Sequence, residues 1–281
     1  MALLTAIHPG YEPRMQALAQ TTYLGENTEP VCHAVAGYLS ARLGIPVTYD
    51  QALSWEERAR RIDSGAIALS WICGLLYVRK VDQLSTPLAP LVAPVMAGDD
   101  YTGEATYSSK IVVHRDSPYQ TFDDLRGTRL AINEPGSYSG SVVLRAHLAS
   151  LGESGAFFPE VVISGAHAQS LRWVADGQAT AAAIDCTVYN YLMPRHPQLS
   201  RALRVIAVLG PNPAPPWVVS ADMPPTLRGQ IKQLLLAMAA GTAGQEMLAA
   251  GNVRRFRAVT DQDYDPIRKK ARQATSVLWQ F

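Results

Sequence analysis

Three observations predict an α/β protein of two lobes facing each other across a cleft. Short apolar β-type runs alternate with segments of helical periodicity along most of the chain, the pattern of helices laid on sheets. A compact β-α-β-α-β block over 112–204 interrupts a flanking pattern that resumes after it. The length, 281 residues, is enough for two hydrophobic cores. Lobe 1 is therefore expected over 1–111 and 205–281, lobe 2 over 112–204, with two crossings between them and a ligand position in the cleft.

The first strand is 18–24, ended by Gly25; residues 1–16 read as an N-terminal extension in which 3–7 has the composition of an added edge strand. A helix over 28–43 is stopped by Gly44 and Pro46. Strand 46–50, the charged amphipathic helix 55–63 closed by Gly65, and the buried strand 66–71 follow. After Gly74 comes a short helix, then the run 88–96, whose Pro90 and Pro94 predict an edge or irregular strand.

The β-branched strand 110–114 precedes a short helix over 121–125 closed by Gly127. Strand 129–133, the turn Glu134-Pro135-Gly136 and a helix over 139–151 come next. Strand 161–164, helix 168–175, strand 179–184 and helix 188–193 repeat the pattern. Strand 203–209 leads into 210–216, too rich in proline for a helix or a central strand, and then strand 217–220. The remainder reads as mostly helical, over 225–240, 243–250 and 265–279.

Composition excludes several classes. Hydrophobic content of 48% and charge of 17% belong to a globular protein. The net charge of +1 supplies no basic field for nucleic acid or an anionic membrane, so a bound anion must be held by local dipoles. Cys32, Cys73 and Cys186 are odd in number and widely spaced, without disulfide or metal-ligand spacing; no metal or cofactor is expected. No apolar run approaches the roughly 18 residues of a membrane span. Residues 1–14 lack a basic segment and a secretory apolar core, which suggests a chain that stays inside the cell or has lost an export signal.

The chemistry concentrates after strand 129–133, in Ser137-Tyr138-Ser139-Gly140-Ser141 at the start of a helix. The first amides of a helix have no internal partner and carry partial positive charge. Glycine permits close backbone approach and serine hydroxyls add donors. The combination describes an oxyanion cradle that needs no lysine or arginine; the plainer alternative is an N-cap serine. In Ser164-Gly165-Ala166-His167-Ala168, His167 again stands where a strand gives way to a helix. Tyr107 precedes the first crossing strand and could reach across a closing cleft, or be a half-buried aromatic with a polar tip. Trp71 ends a strand, as pocket wall or as core.

These segments resemble, in order and spacing, the phosphonate/phosphite/phosphate-binding proteins of ABC importers, over about residues 18 to 281. The resemblance rests on Tyr107-Ser108-Ser109, Ile111-Val112-Val113-His114-Arg115-Asp116-Ser117 and Asp124-Leu125-Arg126-Gly127. It rests further on Ser137-Tyr138-Ser139-Gly140, Gly165-Ala166-His167-Ala168 and Asp263-Tyr264-Asp265-Pro266-Ile267-Arg268. It implies a type II periplasmic-binding-protein fold that closes by a hinge around a small anion for import. It further implies an ABC permease as partner, a monomer, no enzyme activity, and a periplasmic location.

Two departures matter. Tyr138 replaces the family's usual threonine. The carboxylates that bind the ammonium of aminoalkylphosphonates in the family align with Thr187 and Pro215. Asp185 is nearby and could take their place, but the expectation is an oxyanion with a neutral or apolar remainder, flanked by Trp71 and Trp217. The ligand set so implied is Ser137, Tyr138, Ser139, Gly140, His167, Tyr107, Trp71, Asp185 and Trp217. Two other readings remain: a cofactor-biosynthesis enzyme using His167 with Asp185, or a Cys73 or Cys186 thiolate, and a ligand sensor without transport.

Overall fold

The computed structural model describes residues 17–50 and 52–280; the extension at 1–16, with its expected edge strand, lies outside them. In chain order, β1 (Leu18–Tyr23), α1 (Glu29–Leu43), β2 (Val47–Tyr49), α2 (Trp55–Asp63) and β3 (Leu69–Ile72) come first. Then come α3 (Gly74–Asp82), β4 (Leu88–Met96) and β5 (Thr106–His114). The next run is β6 (Arg129–Ile132), α4 (Val143–Ser150), β7 (Glu160–Ile163), α5 (His167–Ala175), β8 (Ala181–Asp185) and α6 (Cys186–Leu192). α7 (Pro197–Ala202), β9 (Leu203–Pro213), β10 (Trp217–Ser220), α8 (Pro225–Ala237), α9 (Thr242–Ala249), β11 (Val253–Ala258) and α10 (Asp265–Ala274) complete the fold.

The strands form two sheets, ordered β11-β4-β10-β3-β1-β2 and β7-β6-β8-β5-β9. β1 runs parallel to β2 and β3, and β6 parallel to β7 and β8, so the ends of these strands deliver loops to one side. β5 lies antiparallel to β8 and β9. Local signals set the helix ends. Ser54 caps α2 by accepting from Glu57 N at 3.2 Å. Gly44, at φ 67°, closes α1 in the left-handed region that glycine enters without strain.

β4 is the irregular one of the two forms its prolines predict: it pairs with both β10 and β11, and bulges beside Trp217 and Val253 disturb its register near Pro90 and Pro94. The lobe boundaries, β11 and α7 differ from expectation. β5 starts at Thr106 and β9 runs on to Pro213, both within the second sheet. The chain therefore passes between sheets at 97–105 and 214–216, outside the expected 111/112 and 204/205. β9 keeps its prolines because it is an edge strand. β11 and α7 were absent from the expected element set.

The first sheet buries Trp71, Trp217 and Phe256 with Leu39 and Leu235. The second buries Phe157 and Phe158 with Ile111 and Leu130. A third cluster joins the lobes, bringing Leu75 and Tyr77 of α3 together with Tyr138, Val142 and Ala146, and with Tyr264 and Ile267 around the start of α10. The C-terminal helix is thus packed on both halves.

Candidate functional site

A cleft of about 1030 Å³ opens between the sheets, at the carboxyl ends of the parallel strands, where α/β sheets present their loops. β1 leads to Asn27, β3 to Cys73, β6 to Asn133, Ser137 and Ser139, β7 to His167, and β8 ends in Asp185; all line the cleft.

After β6 the chain makes a π-helical turn, Tyr138–Val142, before continuing as α4. Ser137 caps it, its Oγ accepting from Gly140 N at 3.1 Å. Val142 N reaches back to Ser137 O at 3.1 Å and the Tyr138 amide bonds the Cys73 thiol, which leaves the Ser139 amide, in the first turn, without an intrahelical acceptor. Gly140 is required by contact: a Cβ there would stand 1.9 Å from Asn133 Oδ1.

Ser139 is the centre of a side-chain group. Its hydroxyl donates to Asp185 Oδ2 at 3.3 Å and lies 3.4 Å from His167 Nε2. Ser109 Oγ holds the Ser139 carbonyl at 2.7 Å. Asp185 caps α6: its Oδ1 accepts from Thr187 N at 2.8 Å and from Thr187 Oγ1 at 2.7 Å. Thr187 Oγ1 in turn accepts from Asn27 Nδ2 of the opposite lobe at 3.2 Å. Burial holds the His167 imidazole below its ordinary range, while the Asp185 carboxylate and the Ala183 carbonyl act the other way. Gly165, at φ 84°, makes the turn that presents it.

Six of the nine expected residues line the cleft: Ser137, Ser139, His167, Tyr107, Trp71 and Asp185. Gly140 is buried beneath the turn and acts through shape. Tyr138 is fully buried in the core between the lobes, its hydroxyl donating to Asn212 Oδ1 at 3.3 Å, so its phenol is not offered to a ligand. Trp217 is also fully buried, stacked on Trp71 with centroids 5.3 Å apart; it backs the wall without forming it. The Trp71 indole N–H donates to Pro215 O at 3.0 Å and offers the cleft only an apolar surface.

Other lining residues were not singled out from sequence. Asn27 and Asn133 each follow a parallel strand, a position that could have marked them. Tyr23, Trp55, Arg79 and Glu134 line the cleft too. Tyr23 and Trp55 pack edge to face at 4.8 Å, and burial raises the Glu134 carboxyl against the opposing pull of Arg79. Thr187 and Pro215 both line the cleft, uncharged. Burial raises the Cys73 thiol, and it raises Cys186 to about 11. Neither thiol is poised as a nucleophile. Among the described residues no group of three or more His, Cys, Asp or Glu side chains is placed to hold a metal ion.

The sequence model of a family described as the periplasmic substrate-binding protein of a phosphonate ABC transporter matches residues 21–264. Among solved structures, the binding-protein component of an ABC phosphonate transporter from Pseudomonas aeruginosa superposes with a TM-score of 0.79 at 17% identity, over 92% of this chain and 86% of that one. PhnD1 from Prochlorococcus marinus, in complex with methylphosphonate, gives 0.77 at 17%, over 93% and 99%. The periplasmic aliphatic sulphonate binding protein SsuA of Escherichia coli gives 0.63 at 15%, over 94% and 92%. These likenesses establish the type II periplasmic-binding-protein fold.

Proposed function

Because the chain belongs to the family of periplasmic substrate-binding proteins of phosphonate ABC transporters, we propose that its cleft closes around a phosphonate-class oxyanion that carries no ammonium group. The family is one of binding proteins and not of enzymes. Its members work with a membrane permease, and no described helix of this chain is long and apolar enough to cross a membrane itself. The delivering protein is expected to act as a monomer.

The observation that carries this reading is the placement of the Ser137–Ser141 turn. Ser137 and Ser139 line the cleft with His167 and Tyr107, at a helix start whose first amides have no intrahelical acceptor. A hydrogen bond to a charged group contributes about 1.5–3 kcal/mol. Three or four of them are comparable with the roughly 8 kcal/mol of micromolar binding, before ordering costs are subtracted. Thr187 and Pro215 supply no charge where an ammonium would need one. Trp71, Leu76, Pro94 and Met96 leave an apolar wall for the ligand's remainder, and the volume exceeds what the smallest phosphonate needs.

Calorimetry and thermal shift with methylphosphonate, phenylphosphonate, 2-aminoethylphosphonate and inorganic phosphate test the reading. The alkyl and aryl phosphonates are expected to bind and to raise the melting temperature by mass action, with the aminated ligand weaker by tenfold or more. Preference for 2-aminoethylphosphonate would overturn the ammonium exclusion, and silence towards every phosphonate would overturn the class.

A further inference from the structure

We propose that Arg79 forms the distal end of the binding site and receives a second anionic group, so that the ligand this cleft fits best is a phosphonocarboxylate, an oxyanion joined to a carboxylate by a short apolar spacer. The inference rests on the oxyanion reading above and names the far end of the ligand.

Cys73, which caps α3, Leu76 and Arg79 follow one another at intervals of three residues and all line the cleft, so they share one face of the helix. That face runs outward from the cradle. At its inner end the Cys73 thiol accepts from the Tyr138 amide. Arg79 comes nearly two turns later, about 9 Å along the axis at 1.5 Å per residue. Leu76 lies between them as an apolar stretch of wall. The guanidinium then reaches over to the other lobe: a Cβ built on Gly136 would stand 3.6 Å from Arg79 Nη1. Gly136 directly precedes Ser137 and lines the cleft, so the cation overlies the segment that leads into the anion turn.

This cation is left without a partner. α3 carries two other charged side chains, and both are paired, Lys80 with Asp63 and Asp82 with Arg268. Among the described residues no acceptor is hydrogen-bonded or ion-paired to the Arg79 guanidinium. Its field is felt around it all the same. Burial raises the Glu134 carboxyl while Arg79 pulls it down, and Arg79 adds to the burial that lowers Arg145. The other guanidinium groups lining the cleft are engaged, Arg58 with Leu53 O and Thr22 O at 2.9 Å each, and Arg172 with Gln169 Oε1 at 3.4 Å. A planar fork with open N–H groups matches a carboxylate bidentately. With the oxyanion at Ser137–Ser139 and a short spacer along Leu76, a terminal carboxylate meets that fork.

Calorimetry on the native chain with 3-phosphonopropionate and with its carboxamide, of the same length and shape but without the second charge, decides it. The acid is expected to bind more tightly by about tenfold or more, and the preference should shrink as ionic strength rises. Arg79→Gln should bring the two affinities to within about twofold; general damage to the cradle would weaken both ligands and leave their ratio alone. Glu134→Gln removes the rival carboxylate and should widen the preference. Equal affinities in the native chain, or a preference that survives Arg79→Gln, would refute the distal site while the oxyanion reading stands. A preference seen only in Glu134→Gln would assign Arg79 to a pair with Glu134 across the lobes and refute it as well. Should neither ligand bind, and methylphosphonate and phenylphosphonate fail with them, the oxyanion reading falls and takes this inference with it.

Discussion

Asn27 Nδ2 donates to Thr187 Oγ1 at 3.2 Å, joining residues 160 apart in sequence and on opposite walls of the cleft. Thr187 also holds Asp185, and Asp185 holds Ser139. Contact between the lobes and the arrangement of the cradle are therefore links of one hydrogen-bonded chain, in which lobe closure and anion binding support each other.

Asn27→Ala should consequently weaken ligand binding while leaving the fold intact. One neutral hydrogen bond contributes about 0.5–1.5 kcal/mol, so affinity is expected to drop by about three- to tenfold, mostly through faster ligand release. Stopped-flow dissociation and calorimetry measure this, with ligand-free melting as the control. An unchanged release rate would show that the contact plays no part in closure.

Two glycines should respond in opposite directions to the same substitution. Gly140→Ala drives a methyl into Asn133 Oδ1 and so displaces the turn. A loss of about 1–3 kcal/mol in stability and at least tenfold in affinity is expected. Gly37 is exposed inside α1, and a methyl group added there would have nothing within 4 Å. Gly37→Ala should stabilise by about 0.5–1 kcal/mol through helix propensity and leave binding alone. Urea denaturation of both variants reads the pair.

Much of the architecture was legible because periodicity and Gly/Pro punctuation reflect local backbone preferences. β11 was not, for a specific reason. Its bulge leaves Val253 and Phe256 buried, with Val259 following, a spacing of three that imitates a helix face. β4 was legible only as edge or irregular, because a proline signals a broken ladder without saying which partner strand bulges. In the site, the serine-glycine turn and His167 could be placed from strand-to-helix junctions. Tyr138 and Trp217 could not, since their direction is decided by the inter-lobe core and by stacking on Trp71. The Asn27 contact depends on how far apart the lobes stand, which no local pattern encodes.

Arg268 of α10 clasps Asp82 at the end of α3 through two bonds of 2.8 and 2.9 Å, and also meets Asp261 at 2.8 Å and Asp265 at 3.0 Å. The planar guanidinium fork pairs bidentately with Asp82 while its remaining N–H groups reach Asp261 and Asp265, a geometry that an ammonium does not reproduce. Arg268→Ala leaves three carboxylates near one another and should destabilise by about 1–3 kcal/mol; Arg268→Lys should recover only part. Chemical denaturation gives the values, and ligand affinity is expected to change less than stability, since the clasp faces away from the cleft.

The ligand-free protein should lose stability on mild acidification, and His167 should account for part of the loss. Burial lowers the imidazole pKa in the folded state, so as pH falls through the ordinary histidine range, about 6.5, the unfolded chain takes up the proton first. Stability is then full above that range and declines below it. His147, also lowered by burial, acts in the same direction, whereas Glu134, raised by burial, acts in the opposite one at lower pH. Urea midpoints between about pH 7.5 and 5.5 should therefore fall for the native protein and fall less steeply for His167→Gln, with His147→Gln removing a separate share. A slope untouched by His167→Gln would mean that the imidazole accepts its proton as readily folded as unfolded, which its burial contradicts.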